Sequence, residues 1–213
     1  MDGVVYPEVT TYVEAYGGIH ELKDLEDYAK ENYVPIVMKD AASFLKFMVA
    51  TSQPKKILEL GTAIGYSAIL MALNSEALVV SIERDAKMRE LALENIKKYH
   101  MEERIQVVDS QCQEYLDQAD ETFDFIFIDA GKSHYQDYVD AALPLLNPAG
   151  MIICDNVLYK GKVVKDMVDR KHRTNVVNLK AFIEEIFARE DLTASLLTVS
   201  DGMLLIRRST KNE

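Results

Sequence analysis

The chain is poor in the features that would send it to a membrane or out of the cell. No stretch approaches the roughly 20 consecutive apolar residues that a bilayer span requires. Its opening, Met1-Asp-Gly-Val-Val-Tyr-Pro-Glu8, lacks the basic and then apolar order of a secretory signal. Only two cysteines occur in 213 residues, Cys112 and Cys154, each at or near the end of an apolar run with no second cysteine at metal or redox spacing. They read as reduced thiols, and the protein as cytoplasmic with no membrane partner. Repeats, low-complexity tracts and Gly/Ser- or Pro-rich linkers are also missing, so residues 1–213 read as one domain. A hydrophobic content of 48% is enough for a real core. The net charge of -11 excludes binding a polyanion over the whole surface, because that affinity comes from Lys and Arg neutralising phosphates. A local basic patch is still allowed.

From Lys56 onward, short β-rich runs alternate with helical stretches. The runs cover 56–60, 77–82, 105–108, 123–128 and 151–154. Alternation of this kind predicts a parallel sheet wound by right-handed crossovers. Residues 88–98 carry strong helix formers, and 178–187 is a second predicted helix. After it, two apolar runs at 192–199 and 202–206 are separated by Ser200-Asp201-Gly202, a turn signal that predicts an antiparallel pair closing the sheet. Residues 1–52 are mostly helical in pattern. Tyr12, Ala15, Leu22, Leu25, Tyr28 and Ala29 offer apolar contacts, so the segment is expected to cap the sheet and is a candidate lid.

Two segments carry chemistry. In Ile57-Leu-Glu-Leu-Gly-Thr-Ala-Ile-Gly-Tyr-Ser67 a buried strand breaks into a turn that opens a helix. Gly61 and Gly65 allow close backbone approach to a ligand, and the helix start presents free amides. The third glycine of G-x-G-x-x-G is lacking, and Glu59 would repel a pyrophosphate but pair with an amino group, so a cationic, amino-acid-bearing nucleoside fits better than a dinucleotide. Glu83, about twenty residues past the turn at the next strand's end, is placed for ribose hydroxyls. The second segment is a pair, Phe127-Ile-Asp-Ala-Gly-Lys132 with Cys154-Asp-Asn156. Each follows an apolar strand, so Asp129, Asp155 and Asn156 should converge at the sheet's carboxyl edge as an all-oxygen site suited to Mg2+ or another divalent cation. Lys132 reaches the same edge.

Together these motifs resemble the class I O-methyltransferases of the catechol and caffeoyl-CoA type, which use S-adenosylmethionine (SAM). The resemblance runs from about Val34 to the C-terminus and rests on 59–67, Ile82-Glu83, Phe127-Ile-Asp-Ala-x-Lys132 and Asp155-Asn-Val-Leu158. It implies a Rossmann-like α/β fold with seven mostly parallel strands, an antiparallel last strand and helices on both faces. It further implies that Val37, Ser67, Glu83, Gln111, Cys112 and Asp129 contact SAM, that Asp129, Asp155 and Asn156 hold magnesium, and that Lys132 and Asp129 are catalytic. A homodimer is implied, with the N-terminal helices as possible contacts. Where relatives often carry Gly-Asp-Ala near the adenine, this chain has Ser110-Gln111-Cys112.

Within that family the compact size, the Val34-Pro-Ile-Val37 entry and Asp155-Asn-Val-Leu-Tyr-Lys-Gly-Lys-Val163 look like the bacterial methyltransferases that convert tRNA wobble 5-hydroxyuridine to 5-methoxyuridine. Lys160, Lys162, Lys165, Arg170, Lys171 and Arg173 cluster beside the metal motif, as contact with the anticodon region's phosphates requires. Catechol-like or caffeoyl-CoA-like phenols are the alternative acceptors. A SAM- or RNA-binding module without turnover is a remote third.

Overall fold

The computed structural model describes residues 6–165 and 167–209; the Met1–Val5 opening read above for a signal pattern lies outside them. Seven strands form one sheet: β1 (Lys56–Leu60), β2 (Leu78–Ile82), β3 (Ile105–Val108), β4 (Phe123–Ile128), β5 (Leu146–Cys154), β6 (Leu192–Leu197) and β7 (Met203–Arg208). Their order is β3-β2-β1-β4-β5-β7-β6. The first five pair in parallel, while β7 inserts antiparallel between β5 and β6. The fold is thus the expected mixed sheet of a Rossmann-like methyltransferase.

Strand side chains alternate between two buried faces, which is why the strands read as mostly apolar runs. Phe125 and Phe127 of β4 point to one face with Ile57, Ile153 and Met203. Ile126 and Ile128 point to the other with Leu58, Leu60, Ile152 and Cys154. The first face is covered by α3 (Lys39–Ser52), α4 (Tyr66–Leu73) and α5 (Ala86–Lys98). The second is covered by α6 (Cys112–Gln118), α7 (Tyr135–Ala142) and α8 (Arg173–Ala188). Phe125 and Phe127 are fully buried, each worth about 3 kcal/mol of apolar transfer. No helix among the described residues is long and apolar enough to cross a membrane.

Several boundaries differ from expectation. β5 starts at Leu146, five residues early, because a register shift opposite Phe123 and Phe125 lets Asn147 to Gly150 bulge out before pairing resumes at Met151. The last helix begins at Arg173, so that residue belongs to α8 and not to the basic loop. β6 ends at Leu197, two residues before the end of the apolar run, so the turn to β7 takes five residues, with Ser200 and Gly202 left-handed.

The N-terminal segment forms α1 (Pro7–Gly17), α2 (Lys23–Glu31) and α3. Leu22, Leu25 and Ala29 are buried as expected, but Tyr12 is 67% exposed, Ala15 is exposed, and Tyr28 lies largely at the surface. α1 touches the body mainly at its C-terminal end, where a Cβ on Gly17 would stand 2.7 Å from the Lys39 carbonyl oxygen. α2 is tied down by polar contacts instead. Glu26 accepts from the Ile19 amide and from the Tyr66 hydroxyl at 2.9 Å, and Asp24 is bonded to Lys98 and Tyr99. α3 is a core helix more than a cap, with Ala41, Ala42, Leu45 and Val49 fully buried.

Candidate active site

The carboxyl ends of the parallel strands are built as a staircase. At each step the sheet's ladder runs one residue beyond the strand: Gly61 N–H donates to Ile82, Glu83 to Val108, Asp129 to Leu60 and Asp155 to Ile128, at 3.0 to 3.1 Å. Glu83, Asp129 and Asp155 are therefore fixed by backbone pairing immediately past the apolar runs that precede them. A cavity of about 1260 Å³ opens over this edge. Its walls include Val37, Gly61, Ser67, Glu83, Gln111, Cys112, Asp129, Lys132 and Asn156, so most of the site residues expected from sequence share one space.

The β1–α4 turn shows what its glycines are for. Gly61 has φ +104°, and a Cβ there would lie 2.5 Å from the Asp129 carbonyl oxygen. Its missing side chain lets two strand ends meet, which sequence reasoning had assigned to ligand approach. Gly65, at φ +84°, caps α4 and stands 3.5 Å from Ala92. Glu83 accepts from the amides of Ala63 and Asp85, each at 2.9 Å, which aims its carboxylate along the cavity floor.

Glu59 departs from expectation. It is fully buried and absent from the cavity wall; one carboxyl oxygen accepts from the Ser81 hydroxyl and the other, Oε1, has no partner. Burial pushes its carboxyl up to about 8, so at neutral pH it is held mostly protonated. It lies behind the wall at the end of β1, beside the lining residues Gly61 and Thr62. On the opposite side Gln111 accepts from Arg84 at 3.2 Å, and the half-buried Cys112 thiol is pushed up to about 11 by burial and by the nearby Glu83 carboxylate. Neither cysteine forms a disulfide.

At the other end of the cavity Asp129, Lys132, Asp155 and Asn156 come together. The Lys132 ammonium lies 2.7 Å from Asn156 Oδ1 and 3.3 Å from Asp129 Oδ1. Asp155 is fully buried; its Oδ1 accepts from the Asn156 amide at 2.6 Å and its Oδ2 has no partner. Burial, reinforced by the Asp129 carboxylate, holds the Asp155 carboxyl well above the usual range. A buried carboxylate oxygen with no partner, beside a second carboxylate and an amide oxygen already drawn around a cation, is a donor set that fits a hard divalent ion. Among the described residues no three His, Cys, Asp or Glu side chains group to hold a metal, which leaves the Asn156 amide as the third donor. Asn156 adopts φ +56°, a left-handed conformation that asparagine tolerates.

Three residues at the site were not singled out from sequence. Tyr135 donates to the Asp155 carbonyl at 2.8 Å from within the core, edge-on to Phe182. Tyr159 lines the cavity beside Asn156. Asp201, read only as a turn residue, also lines it, and caps the Lys160 amide. The Asp-Gly signal that marked a turn had no way to say that the turn would fold against residues 157 and 158, whose amides donate to Gly202 and Asp201. Of the six basic residues assigned to phosphate contact, Lys160 alone lines the cavity, and Lys162 lies over the Tyr159 ring at 5.2 Å. Lys165, Arg170, Lys171 and Arg173 are exposed, and none of the six forms a salt bridge among the described residues.

Known proteins resemble the chain over most of its length. Residues 13–209 match the family model described as O-methyltransferase. A caffeoyl-CoA O-methyltransferase of Populus kitakamiensis is 30% identical over 212 residues, spanning 91% of this chain and 89% of the relative. A catechol O-methyltransferase of Niastella koreensis is 36% identical over 136 residues, 61% of this chain and 62% of that protein. Among solved structures, an O-methyltransferase of Bacillus cereus in complex with S-adenosylhomocysteine superposes with a TM-score of 0.80 at 29% identity, covering 95% of this chain and 97% of that one. A Podospora anserina methyltransferase bound to the same product gives 0.85 at 26% identity, covering 97% and 99%. With the match spanning nearly the whole chain, this protein belongs to the O-methyltransferase family and is a SAM-dependent O-methyltransferase.

Proposed function

We propose that the enzyme methylates one of two adjacent hydroxyls on a phenolic ring, of the catechol or caffeoyl-CoA kind, with a divalent cation held by Asp129, Asp155 and Asn156. The observation that carries this reading is the Asp129–Lys132–Asn156 cluster with the unpartnered Asp155 oxygen, at the far end of the cavity from the Glu83 side. When bound, the cation supplies Lewis-acid polarisation of an acceptor oxygen and lowers its pKa. Glu83 receives the ribose hydroxyls of SAM, Ser67 and Val37 flank its amino-acid end, and Gln111 and Cys112 border the adenine. Lys132, having first released a proton to solvent, takes the proton of the acceptor hydroxyl. The oxygen's electron pair then forms the bond to the methyl carbon, and the C–S bonding pair leaves with sulfur, turning the sulfonium into a thioether. Asp129 serves both halves of the site, since it follows β4 directly and lines the cavity between them.

The relatives named for phenolic substrates support this acceptor class over the tRNA wobble base expected from sequence. The nucleic-acid reading keeps one observation in its favour, the row of Lys and Arg without ion-pair partners beside the cavity. Exposed tyrosines on α1, Tyr12 at 67% and Tyr16 at 75%, support a homodimer, and two free thiols support a reducing, cytoplasmic setting. The deciding experiment is methyl transfer from labelled SAM with Mg2+, offering catechol and caffeoyl-CoA against tRNA bearing 5-hydroxyuridine, with and without EDTA. Methylated phenol, abolished by EDTA, is the expected result. 5-Methoxyuridine with inert phenols would move the acceptor to tRNA, and turnover in EDTA would remove the metal.

A further inference from the structure

The loop after Asn156 is the least comfortable part of the site. Asn156, Tyr159, Lys160 and Gly161 all have positive φ, between +48° and +67°, and among them only Gly161 is free of a side-chain penalty. Such conformations persist where surrounding contacts over-determine them. Tyr159 is held from one direction. Its hydroxyl lies 3.0 Å from His172 Nδ1 and accepts from Asn175 Nδ2 at 3.3 Å, with the two rings edge to face at 5.6 Å. Asn175 donates through its nitrogen, and the tyrosine hydroxyl can still pair with His172 Nδ1 in either imidazole tautomer.

His172 is in turn a rigid anchor. It is the N-cap residue of α8, the helix whose Val176, Leu179, Phe182 and Ile186 are buried in the core. The Tyr159–His172 pair thus ties the stretch after Asn156 to the start of α8. Tyr159 is one of the residues lining the cavity, together with Asn156 and Lys160.

We propose that His172, assisted by Asn175, is a positioning residue for the acceptor: it latches Tyr159 in its left-handed conformation and so fixes the aromatic wall against which a phenolic ring lies. The inference rests on the acceptor class proposed above. The latch acts on the acceptor half of the cavity and leaves the SAM half, built on the sheet edge, untouched.

The test is steady-state kinetics and trypsin digestion of the full chain carrying His172→Phe, His172→Gln, Tyr159→Phe and the His172→Phe/Tyr159→Phe pair, with thermal midpoints confirming folding. Losing one hydrogen bond at the latch should raise the acceptor KM about fivefold with the SAM KM unchanged. Trypsin should cut faster within residues 160–171, which hold five Lys and Arg sites. His172→Gln, whose amide oxygen can take the tyrosine proton, should recover most of both effects. The double variant should be no worse than Tyr159→Phe alone, because removing the hydroxyl already takes away both of its bonds, the one to His172 included. An unchanged acceptor KM, an equal rise in the SAM KM, or additive effects would overturn the proposal. A wild-type enzyme inactive on every phenol with adjacent hydroxyls would instead overturn the acceptor assignment; cleavage then still decides the latch, an unchanged rate refuting it.

Discussion

Replacing Gly61 by alanine tests whether cofactor turn and metal edge are one mechanical unit. The added Cβ would stand 2.5 Å from the Asp129 carbonyl oxygen, about 0.9 Å inside the 3.4 Å at which ordinary contact begins. Neither partner can yield cheaply, since both are backbone and both are paired: Gly61 N–H to Ile82, Asp129 N–H to Leu60. Overpacking of this kind costs about 1–3 kcal/mol. The left-handed backbone at φ +104° adds about 1–2 kcal/mol for any residue with a Cβ, so the variant should lose about 2–5 kcal/mol of stability. Relief by moving Asp129 displaces a carboxylate at the reacting centre, where a shift near 1 Å costs on the order of 100-fold in rate. Gly65→Ala is the control, for it shares the positive φ but meets Ala92 only at 3.5 Å. It should lose about 1–2 kcal/mol with kcat little changed. Urea unfolding and kcat on the same preparations make the comparison. Equal destabilisation by the two variants, or wild-type kcat in Gly61→Ala, would refute the claim that the turn and Asp129 are in mutual contact.

Asp155→Ala should reduce metal-stimulated methyl transfer by at least about 100-fold, while the metal-free protein keeps or gains thermal stability, because a buried carboxylate with an unpartnered oxygen is removed; activity with a Mg2+ titration and melting in EDTA read the two parts separately. Phe127→Ala, fully buried between β4 and the α3–α4 layer, should cost about 3–5 kcal/mol in urea unfolding with the m-value unchanged. Glu59 gives a pH signature. Its carboxyl is raised in the folded state from 4.5 to about 8, so the unfolded chain binds fewer protons between those values; the stability this group contributes is complete below pH 4.5 and declines as pH rises towards 8. Glu59→Gln should flatten that decline, seen as a smaller difference in urea midpoint between about pH 5 and pH 8.

The sheet was legible because its strands are short runs dominated by Ile, Val, Leu and Phe, in spite of Glu59, Gln106 and Asp124 within them: β1, β3 and β4 begin and end at the residues read from sequence. The acids at their ends were legible for the same reason, since the residue after a buried run is the first that can face a ligand. What stayed hidden depends on contacts between distant segments. Glu59 looked like a binding residue because it adjoins Gly61, yet alternation turns it into the interior, against Ser81 of β2. Tyr12 and Ala15 carry the same spacing as core residues, yet α1 buries only Gly17, against the start of α3, and leaves them exposed. Asp201 needed the β6–β7 turn to fold back on the loop after Asn156, a pairing across more than forty residues that no local pattern encodes.

The two ends of the cavity are held by different physics, and this bears on which end sets specificity. Glu83, Asp129 and Asp155 hang on ladder hydrogen bonds of a sheet buried on both faces, so moving any of them means breaking pairing in the core. The acceptor end depends on left-handed residues between 156 and 161, the turn at Ser200 to Gly202, and side-chain bonds from Asp201 and His172. Each of those bonds is worth about 1 kcal/mol and can be exchanged without touching the sheet. On the function proposed above, the residues that would hold methyl donor and metal are therefore tied to the fold, whereas those that would choose the hydroxyl lie on a loop whose position is set by few contacts. Substitutions at Tyr159, His172 and Asp201 should accordingly change which acceptor is methylated before they change whether SAM is bound.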